Sequence, residues 1–352
     1  MTTTADLKAR FQAQAQGAMV LYVGYIGVVN RLFETLARLG AAECDALAAA
    51  AGMDAGYVRR WCDAAYATGY LEDAEGARFR LSAIGAAMRP DAPESLMPVA
   101  VQAMLSAHMA ERAAGLMPSG ARPGEQVLAE CETLLPWFGP MLEASYAPVF
   151  ETTISPAIPI FAEIDRQAGL AVDLGCGNGW YLRVLARRYP HLRGLGVDGF
   201  AENIAQATTL AETEGFGARL TFAVGDAHHL ALPEPADLIA MNRALHHVWE
   251  GGIARFLDRL RGQLKPGGAA VIWEPNWPPA RAALRKPGWA RLAFQNLTEH
   301  VQGNHLLGAE EIAAAFLAAG FAEATTHLFA EGKEAVIVAR TPKGDRPSGQ
   351  RQ

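Results

Sequence analysis

The chain has 352 residues, of which 51% are hydrophobic and 19% charged, with a formal net charge of −6. That length exceeds one ordinary core, and the apolar share suffices to bury two, so two domains or one domain with a large helical extension are expected. The modest acidic balance has no long run of either sign, which leaves no electrostatic footprint for nucleic acid or an anionic membrane surface.

Cys44, Cys62, Cys131 and Cys176 lie far apart, with neither a Cys-x-x-Cys pair nor Cys/His ligand spacing. They read as core thiols in a reducing compartment, and no metal site is expected. The opening Met1-Thr-Thr-Thr-Ala-Asp has no basic or apolar leader region. The most apolar early stretch, Ala18 to Val29, contains two glycines and is too short to span a bilayer. These features predict a cytoplasmic protein without a membrane segment.

From Ala5 to Leu39 apolar residues recur at three- and four-residue steps, which predicts helix. An Ala-rich helix (Asp45 to Ala51), a turn at Gly52-Met-Asp and a second helix (Ala55 to Thr68) follow. Tyr70-Leu-Glu-Asp and Arg78-Phe-Arg-Leu then flank a turn and predict a short hairpin. Helix, turn, helix and hairpin in that order predict a winged helix over residues 1–95. Nine Lys/Arg against eleven Asp/Glu in that span give about −2. Phosphate contacts need a basic face around Arg59 and Arg60, so dimerisation through Ala18 to Leu39 is expected rather than DNA binding.

Residues 96–165 read as an apolar helical connector covering the active site, broken by a Pro118-to-Gly124 loop and later prolines. From Leu170 the rhythm becomes strand–helix alternation, which predicts an α/β domain over 166–342. A polar, flexible tail is expected over 343–352.

Leu170-Ala-Val-Asp-Leu has the look of a buried parallel strand, and it runs into Gly175-Cys-Gly177-Asn-Gly179 and a helix, Trp180 to Arg188. Glycines at such a turn let the backbone approach a ligand, and the helix N-terminus faces it. Dinucleotide enzymes use G-x-G-x-x-G there; here the third glycine comes one residue early. Gly194-Leu-Gly-Val-Asp198 ends a second strand in an acid able to accept both ribose hydroxyls. Leu220-Thr-Phe-Ala-Val-Gly-Asp226 ends a third in an acid placed for an adenine amino group. Asp237-Leu-Ile-Ala-Met leads into Asn242-Arg-Ala-Leu-His246-His247, and Leu264-Lys-Pro-Gly-Gly268 precedes a fifth strand, Ala270 to Trp273.

This series resembles the class I S-adenosylmethionine (SAM)-dependent methyltransferases over about Arg166 to Arg340. The resemblance implies a Rossmann-like seven-stranded sheet, mostly parallel with an antiparallel last strand, closed by a hairpin from Thr325 to Ala330 and Ala335 to Ala339. It implies SAM as cofactor and S-adenosylhomocysteine (SAH) as product. Asp173, Gly175, Cys176, Gly177 and Gly179 would surround the methionine part, Asp198 the ribose, Asp226 and Ala227 the adenine, and Asn242 would lie beneath the reacting centre. A winged helix before this domain is similar to the arrangement in small-molecule O-methyltransferases, which dimerise through it and lend side chains to the partner's pocket.

His246 stands just beyond the fourth strand, where such sheets bind ligands, and is the candidate base, with Tyr146 a further catalytic and acceptor-facing candidate. The O-methyltransferases carry Leu-His-Asp-Trp there; this chain has Leu245-His246-His247-Val-Trp249, so a structural histidine stays open. After the fifth strand, Trp273-Glu-Pro-Asn-Trp277 leads into Arg281, Arg285, Lys286, Arg291, His300 and His305, with Glu299 the only acid from 280 to 308. Such a basic lid suits an acceptor carboxylate, and Trp277, Arg281, Arg291, His300 and His305 are substrate-binding candidates. Tyr146, Phe150, Trp180 and Trp277 could offer aromatic faces to a sulfonium or be core. Length, module order and lid also look similar to bacterial S-methyltransferases that make dimethylsulfoniopropionate precursors. The reading favours a small carboxylate-bearing thioether acceptor, with O-methylation of a hydroxyl by His246 as the alternative. A SAM-sensing transcription regulator is the alternative of another class.

Overall fold

The structure is a computed structural model and describes residues 2–343. The expected tail, Lys343 apart, lies outside them. The described residues fall into two compact units, Met1–Ala114 with Leu128–Tyr146, and Gly115–Val127 with Ala147 onward. The stretch 96–165, expected as a connector, is thus shared between the two units.

In the first unit, Thr3 and Asp6 exchange side-chain and backbone hydrogen bonds and open α1 (Thr4–Val29) with a capping box. The predicted single helix over 5–39 is broken. Arg31 adopts φ 54°, and α2 (Leu32–Leu39) leaves at 69° to α1. The bend turns α2 so that Leu32, Phe33 and Leu36 are buried in the core shared with Val28 and Trp61. A Cβ on Gly27 would overlap the rings of Phe33 and Trp61, so a glycine is needed for α1 to lie this close. Then come α3 (Cys44–Ala51), α4 (Ala55–Ala67) and the antiparallel pair β1 (Leu71–Ala74) and β2 (Arg78–Leu81), in the order read from the sequence. Trp61 Nε1 donates to Val23 O at 3.1 Å and Tyr70 Oη to Val20 O at 3.1 Å, which ties both buried aromatics to α1. The chain continues through α5 (Ala83–Ala87), α6 (Met97–Leu116), α7 (Gln126–Ala129) and α8 (Leu135–Val149). Met97, Val101, Leu134 and Met141 join the same core.

The second unit begins with a π-helical turn (Phe150–Ile154), α9 (Ser155–Ala157) and α10 (Ile160–Arg166). Its strands are β3 (Leu170–Leu174), β4 (Arg193–Asp198), β5 (Leu220–Val224), β6 (Ala236–Asn242), β7 (Leu264–Pro275), β8 (Glu323–Phe329) and β9 (Glu334–Arg340). They form one seven-stranded sheet in the order β5-β4-β3-β6-β7-β9-β8, in which β9 alone runs opposite to the other six strands. Between them run α11 (Trp180–Arg188), α12 (Ala201–Thr213), α13 (Leu245–Trp249), α14 (Ile253–Gly262), α15 (Trp289–Glu299) and α16 (Ala309–Ala318). The fifth predicted strand is longer than read. Leu264-Lys-Pro-Gly-Gly is drawn into β7, with a register shift opposite Ala236 and Leu238. β3 is buried at every position, as expected of a strand covered on both faces. The chain moves outward from β3 to β5 and then returns to β6 on the other side. That reversal opens a crevice at the carboxyl ends of β3 and β6, the usual ligand position of such sheets.

No single helix among the described residues is long and apolar enough to cross a membrane. Only α1 and α2 together reach that length and hydropathy, as a bent pair.

Candidate active site

Five carboxyl-terminal strand ends meet at the crevice. After β3, Gly175, Gly177 and Gly179 all take positive φ (73°, 52° and 74°), a conformation that side chains rarely adopt. Gly175 and Cys176 donate their N–H groups to Val197 O, and Gly177 N–H donates to Asp198 Oδ2 at 2.9 Å. The other oxygen of Asp198 accepts from Phe200 N–H and Asn203 Nδ2, both at 3.0 Å. The acid that ends β4 therefore also pins the glycine loop.

Asp173 is buried beneath the loop and accepts from Asn242 Nδ2 at 2.9 Å. Burial, with the charge of Asp198, outweighs that bond and pushes its carboxyl up to about 8. Asn242 Oδ1 is buried and unpartnered among the described residues, as is Tyr181 Oη. An orphaned amide oxygen beside a buried carboxyl fits a cationic donor such as an α-ammonium. Beyond β5, Asp226 accepts from His228 N–H at 2.8 Å and meets His229 Nδ1 at 2.7 Å. These contacts hold its carboxyl below the usual range and leave it exposed beside half-buried Ala227. The donors and acceptors read from the sequence are thus present at consecutive strand ends, and they suit SAM.

Past β6 the chain turns sharply. Arg243 takes φ 56°, donates N–H to Trp273 O, and reaches Glu334 Oε2 at 2.7 Å. The turn sets α13 over the end of β7. There Glu274 accepts Leu245 N–H at 2.7 Å on one oxygen and holds His246 Nδ1 at 2.7 Å with the other. Both side chains are 2% exposed. Burial opposes the imidazolium, but the charge and hydrogen bond of Glu274, with Glu299 behind them, prevail and raise His246 above its ordinary value. Glu274 is lowered: burial opposes its charge, but the charge and hydrogen bond of His246 outweigh it. His246 Nε2 faces Glu299 Oε2 at 3.7 Å. Next to it, His247 Nδ1 lies 2.8 Å from Glu125 and 2.9 Å from Asn304.

The basic stretch does not converge in the same way. Arg281, Arg285, Lys286, Arg291 and His300 are exposed, and His305 is paired with Glu250 at 2.9 Å. Trp277 packs against Trp289, Leu292 and Leu306. Phe150 and Trp180 are buried against each other with Trp273 and Tyr181, so they are core. Tyr146 is half-buried and is the last residue of the first unit. Glu274, His247, Asn304 and Glu125 were missed as site residues. Only Glu274 left a signal, as an acid at a strand end.

Residues 171–268 match the family described as "Methyltransferase domain". The chain is 30% identical over 154 residues to trans-aconitate 2-methyltransferase of Pseudomonas paraeruginosa, covering 44% of this chain and 50% of that protein. It is 37% identical over 108 residues to acetylserotonin O-methyltransferase of Mus musculus, 29% of this chain and 27% of that protein. The chain thus spans half or less of the length of these curated relatives. Among solved structures, human N-acetylserotonin methyltransferase in complex with SAM superposes with TM-score 0.72 at 21% identity, over 97% of this chain and 100% of that one. A riboflavin-analogue dimethyltransferase of Streptomyces davawensis gives TM-score 0.70 at 20% identity, over 96% and 99%. The fold is therefore that of the class I, SAM-dependent methyltransferases. Residues 171–268 match a methyltransferase domain, and the fold is shared with the human N-acetylserotonin methyltransferase structure over 97% of this chain.

Proposed function

We propose that this protein transfers a methyl group from SAM to a hydroxyl of a small molecule, with His246 as the base. The observation that carries the reading is the buried His246–Glu274 pair at 2.7 Å. Glu274 accepts the hydrogen bond from Nδ1–H, so the Nε2 lone pair is left for the acceptor, and the imidazolium formed on proton transfer is stabilised by two carboxylates. SAM supplies a methyl carbon already activated by its sulfonium. The chain's own work is alignment and proton removal. Asp173, Asn242 and the Gly175–Gly179 loop would hold the methionine part, with Cys176 packed beneath the loop. Asp198 would hold the ribose, and Asp226 with Ala227 the adenine. Tyr146 is proposed as a further acceptor-facing residue.

The thioether reading rests on the basic stretch from Arg281 to His305, which would clamp an acceptor carboxylate. Its arginines are exposed, whereas the His246 pair is assembled and buried, so the hydroxyl reading is preferred. An untargeted metabolite pool incubated with methyl-labelled SAM identifies the acceptor by mass spectrometry. His246→Ala should then cut kcat by about 10²–10⁴ with unchanged SAH affinity. Normal kcat in that variant, with raised KM in Arg281→Ala and Arg291→Ala, would overturn the proposal in favour of the thioether acid.

A homodimer is part of the proposal. Leu7, Phe11, Met19, Tyr22 and Ile26 recur along α1 and stay exposed, an apolar stripe that a second copy would cover. The regulator alternative loses support at α4, where Arg59 is held by Asp45 through two hydrogen bonds of 2.8 and 2.9 Å rather than left for phosphate. Four free thiols suit a cytoplasmic setting.

A further inference from the structure

His246 and His247 are neighbours in sequence, yet their rings lie 4.2 Å apart and only 35° from parallel. Each has its Nδ1 against a carboxylate, His246 on Glu274 at 2.7 Å and His247 on Glu125 at 2.8 Å. A carboxylate on Nδ1 favours the tautomer whose Nε2 is the basic nitrogen, the support that metal-binding histidines receive; His247 Nδ1 also meets Asn304 Nδ2 at 2.9 Å. Glu299 presents Oε2 at 3.7 Å from His246 Nε2, and one ligating atom from each of His246, His247 and Glu299 lies within 4.8 Å of the others. Two ligands of one tetrahedral zinc-class ion stand about 3.4 Å apart, so closing a 4.8 Å separation needs a combined shift of about 1.4 Å.

The charges point the same way. Two buried carboxylates, those of Glu274 and Glu299, face the two imidazoles, and the exposed carboxylate of Glu125 reaches His247 from the surface. The nearby guanidinium of Arg243 is engaged with Glu334 at 2.7 Å. Glu299 is buried, and its hydrogen bonds come from neutral amides, Gln295 Nε2 at 3.4 Å and Gln302 Nε2 at 3.0 Å. The amide oxygen of Gln302 is itself buried and unpartnered among the described residues. An excess of buried negative charge beside an orphaned oxygen is what a cation would relieve.

We propose that His246, His247 and Glu299 form a binding site for a divalent transition-metal ion of the zinc class, and that filling it switches methyl transfer off. Two imidazoles and a carboxylate select this class over magnesium or calcium. The site rests on geometry and charge alone. The switch rests on the base role of His246, because the ion takes the Nε2 lone pair that the acceptor proton needs.

The test uses the full chain, stripped with a chelator and titrated with Co²⁺. The site predicts one equivalent bound, visible d–d absorption of a low-coordinate ion, and displacement by Zn²⁺. His247→Ala and Glu299→Gln should each weaken binding tenfold or more while SAH calorimetry reports an intact fold. Should His247→Ala lose SAH binding, His247→Gln replaces it. Absence of a stoichiometric ion, or undiminished binding in both variants, overturns the site. In the activity arm, one equivalent of Zn²⁺ should suppress labelling of the acceptor pool and a chelator should restore it. Full activity with the ion bound would leave the site standing and overturn the switch, together with the base role of His246.

Discussion

Replacing Glu274 by Gln keeps the shape of the side chain and reverses one hydrogen bond. In the structure, Glu274 Oε1 accepts Leu245 N–H and Oε2 holds His246 Nδ1, both at 2.7 Å and both away from solvent. A glutamine can still accept from Leu245 through its oxygen, but its NH₂ then faces His246 Nδ1 and can only donate. The imidazole must move its proton to Nε2, the atom proposed to receive the acceptor's proton. Loss of a charge-assisted bond alone is about 1.5–3 kcal/mol, or one to two decades of rate. The wrong tautomer takes the total towards about 10⁴ in kcat. SAH affinity should stay within about threefold, because the cofactor residues belong to other strand ends. Methyl transfer to the identified acceptor gives kcat, calorimetry gives the affinity, and ¹⁵N NMR of the imidazole reads the tautomer directly. A Glu274→Gln enzyme with near-normal kcat, or with His246 still protonated on Nδ1, would refute the reasoning.

Asp198→Ala should lower SAH affinity at least ten- to a hundredfold, since it removes the ribose acceptor and also releases Gly177 N–H; calorimetry with unchanged affinity would remove the ribose assignment. Asp173, raised to about 8, is mostly protonated at pH 7 in the free protein. An ammonium bound against it favours the carboxylate, so SAH binding should release up to one proton and strengthen as pH rises towards 8. Calorimetry in buffers of different ionisation enthalpy measures that release, and Asp173→Asn should abolish it. Light scattering should show a dimer, and Phe11→Glu with Ile26→Glu on the exposed face of α1 should give monomers. A wild-type monomer refutes the α1 interface.

The proposed cofactor half of the site was legible in the sequence because it is local. A strand of apolar residues, a glycine turn and a terminal acid occur within ten residues of one another, and parallel strands place their carboxyl ends side by side. Order along the chain therefore becomes proximity in space for Asp173, Gly177, Asp198, Asp226 and Asn242. The winged-helix order was legible for the same reason, in turn and periodicity signals that act over a few residues. Only the tertiary structure showed that Arg31 breaks the first helix, because apolar periodicity continues through the bend and only packing of Phe33 against Trp61 forces it. The histidine centre was likewise beyond the sequence. Glu125, His246, Glu274 and the Glu299–Asn304 stretch come from four separate segments, and nothing local says that they meet. The basic run from Arg281 to Arg291 was conspicuous as text, yet those side chains face solvent, because a charged group enters a crevice only when a buried partner offsets its desolvation. His246 has that partner in Glu274, which sits 28 residues further along the chain and was brought to it by the pairing of β6 with β7.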